Sequence, residues 1–173
     1  MLLLFNNIHR RFNVLIRTIF FVSLMLGPAA TVASGLGKGQ FLARDHLIID
    51  LRSGVEWMRC SVGQRWNGNE CEGKIVNLSL DMVPTALDIA NEQLGGKWRL
   101  PSQAELKSIV CKECSSPKIN EEIFPNTDNA PYWTGDQSIF NSKFYVSVNF
   151  HTGFSFNRFS PIKELAVRLV RDR

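Results

Sequence analysis

Residues 95–110, GGKWRLPSQAELKSIV, fix more local structure than any other stretch of the chain. Gly95 and Gly96 stop whatever helix precedes them. Trp98, Arg99 and Leu100 read as a short extended segment, and Pro101 drives Leu100 out of the helical region of backbone space. A helix follows from Gln103. Ser102 and Glu105 form a capping box, each side chain satisfying an orphan backbone N–H at the helix start. Leu106, Ile109 and Val110 recur at helical spacing, so one face is buried, with Trp98 and Leu100 as expected neighbours. Upstream, Val83, Ala86, Leu87, Ala90 and Leu94 repeat at three or four, giving a first helix over residues 82–94. Asp81 is its expected N-cap, and Pro84 falls in the first turn, where the missing N–H costs little.

Strands flank these helices on both sides. Leu47 to Leu51 and Val55 to Cys60 read as a hairpin around the Arg52-Ser53-Gly54 turn. In the last third, Phe144, Val146, Val148 and Phe150 alternate with polar neighbours, as a half-buried strand does. His151-Thr152-Gly153 turns the chain into a return strand through Phe154, Phe156 and Phe159. A short strand covers Tyr132 to Thr134, and AVRLV at residues 166–170 closes the domain. Strands, two helices and strands again predict an α+β fold rather than a parallel α/β sheet. Between helices and strands lies a polar loop with three prolines, anchored by Ile119, Ile123 and Phe124.

Residues 1–33 have the layout of a secretory signal: Arg10, Arg11 and Arg17 without an acidic residue, the apolar run Thr18 to Leu26, a Gly27-Pro28 break, then small residues. Cleavage after Ala33 or Ala30 fits. The apolar run is shorter than the roughly 20 residues of a membrane span, so cleavage is favoured over an uncleaved anchor. Arg10-Arg11 resembles a twin-arginine signal, but Phe12 and Asn13 fit it poorly. Residues 34–40 form a glycine-rich linker, and the domain occupies residues 41–173. The whole chain carries 20 Lys plus Arg against 16 Asp plus Glu; without the three arginines of the signal the balance is 17 to 16. The basicity belongs to the signal, and nucleic acid is not an expected partner. The expected location is the periplasm or the cell exterior.

An exported chain with four cysteines, Cys60, Cys71, Cys111 and Cys114, is expected to hold two disulfides. Three connectivities are open. Cys60 with Cys71 would close a short loop, and Cys111 with Cys114 would tie off a helix end. C-K-E-C also matches a redox motif or half a zinc site, but a thioredoxin-like context and metal-ligand spacing are lacking. The loop between Cys60 and Cys71 reads as a flap held by Trp66 and a disulfide; the alternative presents Trp66, Asn67 and Asn69 to a ligand.

The chain resembles the family named after the C-terminal domain of the Lcl collagen-like bacterial adhesin. The resemblance rests on G-V-E-W-M-R-C-S-V-G-Q-R-W-N-G at residues 54–68, W-R-L-P-S-Q-A-E-L at 98–106, P-K-I-N-x-x-I-F-P-N-T at 117–127, Y-W-T at 132–134 and A-V-R-L-V-R at 166–171. R-L-P-S-x-A-E and V-R-L-V-R are also similar to motifs of the formylglycine-generating and sulfatase-modifying family, whose fold is related to C-type lectins. The resemblance implies a C-type-lectin-like single domain and a secreted or surface-exposed binding module, with sulfated polysaccharide binding attributed to the namesake. This chain has no collagen-like repeat and nearly no net charge, which counts against polyanions. W-N-G at residues 66–68 also lacks the acidic ligand of calcium-dependent lectins, so neither a calcium site nor any other cofactor is expected.

Catalysis has little to stand on. His151 and Asp136 could join a serine in a hydrolytic triad only if the fold gave them mutual geometry. Arg99 could clamp a carboxylate or sulfate, but bracing the Trp98, Leu100, Pro101, Ser102 and Glu105 motif is the favoured role. Tyr132, Trp133, Tyr145 and Asn149 are the candidate sugar-stacking residues, each a ring with a polar tip or a neighbouring amide. The resulting expectation is a non-catalytic module recognising a carbohydrate or cell-envelope component. The alternative is an envelope or appendage subunit that binds protein.

Overall fold

The computed structural model describes residues 39–173. The signal expected over residues 1–33 and most of the linker at 34–40 lie outside the described residues. Within them the chain is an α+β domain with two helices and three antiparallel sheets.

The first sheet has the order β1-β2-β3-β9, built from Phe41–Arg44, Leu47–Asp50, Val55–Met58 and Val170–Asp172. Its centre is the expected hairpin, with Ile48 opposite Trp57. The turn is held by Asp50, whose Oδ1 accepts from Arg52 N at 3.0 Å and whose Oδ2 accepts from Ser53 Oγ at 2.7 Å. The second sheet, β4 (Gln64–Trp66) with β5 (Cys71–Gly73), replaces the expected flap with a small hairpin. Asn67 Oδ1 accepts from the backbone N–H of both Asn69 and Glu70 at 2.8 Å, an Asx turn that closes it. Gly63, at φ +92°, brings the hairpin so close to the next segment that a Cβ there would lie 2.4 Å from Lys74 O.

Helix α1 spans Val83–Leu94 and ends at Gly95, at φ 67°. Its N-cap is Met82 rather than the expected Asp81. The Asp81 carboxylate instead accepts from Ser79 Oγ at 2.5 Å, and the cap position falls one residue later, on a side chain that makes no capping hydrogen bond. Helix α2, Gln103–Ser108, carries the full capping box: Ser102 Oγ accepts from Glu105 N, and Glu105 Oε2 accepts from Ser102 N. The third sheet is β6 (Pro131–Gln137), β7 (Tyr145–Asn149) and β8 (Ser155–Phe159), in that order, with β8 at its edge.

Two apolar clusters form the core, and consecutive residues of one strand feed both. Ile48, Tyr132, Ala166 and Val170 enter the cluster around Trp57, Leu106 and Phe124; Leu47, Trp133, Val167 and Leu169 enter the one around Trp98, Val83 and Leu78. β2 and β6 are therefore covered on both faces at these positions, which explains consecutive buried residues such as Ile48 beside Leu47 and Tyr132 beside Trp133. The division also corrects one expectation. Leu106 of α2 and Ile109, its C-cap, belong to the first cluster, whereas Trp98 and Leu100 pack in the second.

Both disulfides join neighbours in sequence, Cys60 to Cys71 and Cys111 to Cys114, and no cysteine is free. The first pins the β4–β5 hairpin. The second closes the turn after α2. Among the described residues no helix is long and apolar enough to cross a membrane.

Candidate functional site

The residues singled out from the sequence do not converge. Tyr132 and Trp133 are fully buried, so neither ring can stack on a ligand from solvent. Tyr132 OH exchanges a hydrogen bond with Ser61 Oγ at 2.9 Å, and Trp133 Nε1 donates to Leu78 O at 2.7 Å. Their polar tips serve the core. Trp66 stands elsewhere, with the Arg59 guanidinium 3.7 Å above its ring, and lines a hollow of about 450 Å³ with His46, Gln93 and Leu94. One ring face is thereby occupied.

Arg99 is committed to the fold. Its two terminal nitrogens donate to the two oxygens of Glu105 at 2.8 Å, and Nη2 also reaches Asp172 Oδ1 at 2.6 Å. The capping carboxylate is thus fixed from both sides, by the Ser102 N–H and by a bidentate guanidinium. The Arg99 hydrogen bonds hold the Glu105 carboxyl below the usual carboxylate range. Pairing raises the Arg99 pKa.

His151 and Asp136 are separated by their partners. His151 Nδ1 lies 3.1 Å from Ser116 Oγ and 3.2 Å from Asn129 Oδ1, while Asp136 Oδ2 accepts from Gln103 N at 2.7 Å. In a hydrolytic triad the serine and the acid engage opposite nitrogens of the imidazole; here serine and amide crowd the same one. Among the described residues no group of three or more His, Cys, Asp and Glu side chains is placed to hold a metal ion.

What remains is a surface around the edge strand β8, where two hollows share Ser155 and Phe156 in their walls. The larger, about 780 Å³, is lined by Gln103, Asp136, Gln137, Tyr145 and Asn157 among others. Its polar groups are tied together: Gln103 Nε2 donates to Ser155 Oγ at 2.8 Å, and Gln137 Nε2 donates to Tyr145 OH at 3.1 Å. The smaller, about 310 Å³, is lined by Pro131, Ser147, Asn149, Thr152, Phe154 and Phe159 together with the shared pair. Tyr145 and Asn149 of the expected set are therefore brought to adjoining hollows. Asn149 Oδ1 accepts from His151 N at 2.7 Å and holds the turn into β8.

Two features of this surface escaped the sequence reading. Cross-strand register sets Ser147 between Trp133 and Phe156, and its Oγ is buried with no hydrogen-bond partner among the described residues. Such a hydroxyl costs the fold unless something else satisfies it. The rings form a ladder from core to surface: Trp133 meets Phe159 edge-on at 5.9 Å, and Phe159 meets Phe156 at 5.1 Å. Phe156 is 51% exposed and Phe154 75%. A lone serine in an alternating strand carries no signal of this, because its neighbours come from two other strands.

The other unpredicted residue is Arg168, fully buried within AVRLV. Its nitrogens donate to Met58 O and Arg59 O, to Ser61 Oγ at 3.2 Å and to Thr127 Oγ1 at 2.7 Å, and it lies 4.9 Å from the Phe124 ring. Burial lowers its pKa to about 10, leaving it charged at neutral pH. It ties β3, the 124–128 turn and the C-terminal run into one body.

No curated protein and no solved structure matches the chain. A family model does, over residues 46–171, a span that starts before β2 and takes in both disulfides, the capping box, Arg168 and the β8 surface. By that match the chain belongs to the Lcl C-terminal domain family.

Proposed function

We propose that this chain is an exported, non-catalytic binding module that recognises carbohydrate at the β8 surface. The observation that carries the reading is Ser147: a buried hydroxyl without a partner, in the wall of a hollow framed by exposed phenylalanines and by Asn149. Sugars present the complementary chemistry, with apolar ring faces for aromatic side chains and hydroxyls for buried polar groups. Export is supported by two disulfides that leave no free thiol. A C-type-lectin-like architecture, with its tie to the formylglycine-generating and sulfatase-modifying family, belongs to the same reading; two helices set among antiparallel sheets are compatible with it. A glycan array combined with polysaccharide pull-down tests the proposal, and an absence of binding to every glycan would overturn it.

An envelope or appendage subunit that binds protein is the second reading. The exposed Ile139 and Phe140 beside the same sheet favour it, since contiguous apolar surface also marks protein interfaces. A stoichiometric protein partner that survives high salt on co-purification would select it.

A further inference from the structure

We propose that the β8 surface takes a glycan bearing free primary amines, a de-N-acetylated hexosamine chain, rather than a neutral or acidic one. The assignment rests on the carbohydrate reading above and narrows it by charge. Among the described residues Asp136 is the only charged side chain lining either hollow; no lysine, arginine or histidine among them does. Arg158, the cation on β8 itself, lines neither. Asp136 is half-buried, and among the described residues only its Oδ2 is engaged, by Gln103 N. The second oxygen remains for a ligand.

The rings favour the same charge. Phe156 stands exposed in the wall shared by the two hollows and Phe154 in the smaller one, and an aromatic face attracts a cation through its quadrupole. A sulfated or carboxylated sugar would meet one carboxylate and two electron-rich faces with no counter-charge. An amino sugar finds an ion pair at Asp136, a cation–aromatic contact at Phe156 and, across β8, the unsatisfied Ser147 hydroxyl for one of its own hydroxyls. One amino-sugar unit carries an amine, hydroxyls and an apolar ring face, so a short chain of them can use the carboxylate, the serine and the phenylalanines together; a lysine side chain has a single ammonium to place at one of them.

The test is calorimetric titration of the full chain with four probes: a glucosamine hexamer, its N-acetylated counterpart, a heparin fragment and an oligolysine of matched charge. The glucosamine hexamer is expected to bind about tenfold more tightly than the acetylated one, the combined worth of a half-exposed ion pair and a cation–aromatic contact. Asp136→Asn, which keeps an acceptor for Gln103 N, narrows the difference to the part the cation–aromatic contact supplies, and Asp136→Glu preserves it in full. Equal affinity of the two hexamers, or heparin binding tightest, overturns the amine assignment and leaves carbohydrate recognition standing. Oligolysine binding as tightly as the glucosamine hexamer overturns it in favour of basic peptides. Failure of every glycan removes the broader reading as well. The wild-type comparison decides the matter even where a variant folds poorly.

Discussion

Arg168 Nη2 donates to Thr127 Oγ1 at 2.7 Å in the interior of the domain, and no carboxylate is among the arginine's partners. A cation is held there by carbonyls, hydroxyls and a ring face alone. Arg168→Ala leaves those acceptors buried and opens a void the size of the side chain. It is expected to lose about 3–5 kcal/mol of stability, measured by urea unfolding. Arg168→Lys should recover little of this, because an ammonium cannot span both the Met58–Arg59 carbonyls and the two hydroxyls. A loss below about 1 kcal/mol for the alanine variant would show that the network is dispensable.

The Arg99–Glu105 pair sets an acid limit. Glu105 has a lowered pKa in the folded state, so its contribution is fully present above the unfolded value of about 4.3 and is lost as pH falls through the lower folded value. Glu105→Gln is therefore expected to cost about 1 kcal/mol at neutral pH, a modest figure because Arg99 is more than a third exposed. The cost should shrink toward zero in strong acid. Urea midpoints of both proteins across pH 7 to 3 check the convergence.

The two disulfides should part company under reduction. Cys60 and Cys71 are 6% and 3% exposed, whereas Cys111 and Cys114 are half-buried beside a hollow of about 520 Å³. Mild thiol reductant followed by alkylation and mass spectrometry is expected to label Cys111 and Cys114 first. Removing the Cys60–Cys71 bridge by alanine substitution should cost about 1 kcal/mol more than removing the other, since it closes the longer loop.

Gly63 admits no side chain. Its φ is +92°, and a Cβ would meet the Lys74 carbonyl and the Val76 nitrogen, both backbone atoms. Gly63→Ala is expected to destabilise by about 2–3 kcal/mol, through strain added to a displaced β4–β5 hairpin. Thermal unfolding reads the loss, and a midpoint unchanged within error would contradict the close approach.

Ser147→Ala separates stability from binding. Removing a hydroxyl that has no partner should leave the fold as stable or raise it by up to about 1 kcal/mol. The same change is expected to weaken glycan binding several-fold, as one hydrogen bond to a buried group is lost. Lost stability in this variant would mean that Ser147 has a structural partner.

What could be read directly from the chain was local. The Ser102–Glu105 capping box and the glycine stop at Gly95 depend on residues a few positions apart, and each takes the expected form. The alternation through β7 gives the strand but not its wet face, because Ser147 is buried along with Val146 and Val148. The α1 cap failed on a similarly local choice, Asp81 turning to Ser79 rather than to the helix. The misplaced site residues have a different origin. Tyr132 and Trp133 looked like surface rings because a strand of an antiparallel sheet usually wets one face, and the cover on the second face comes from Leu78, Leu165 and Val167, remote in sequence. Arg168 was hidden for the same reason: its acceptors lie 41 to 110 positions away. The β8 surface, assembled from three strands and the start of α2, had only Tyr145 and Asn149 to announce it.

Strands immersed in oil on either side face an unusual problem of alignment. In an ordinary sheet, sliding by one residue throws the greasy set into water and is rejected at once. Here the same slip would merely exchange Tyr132 with Trp133 between two equally dry compartments. The chain discriminates by marking individual side chains with polar addresses: the indole nitrogen must find Leu78 O, the phenol must find Ser61, and the Arg168 fork must find Thr127. Correct pairing is thus verified by a handful of directional contacts in the interior, and a substitution that erases one address would be felt first as a domain that folds to more than one answer.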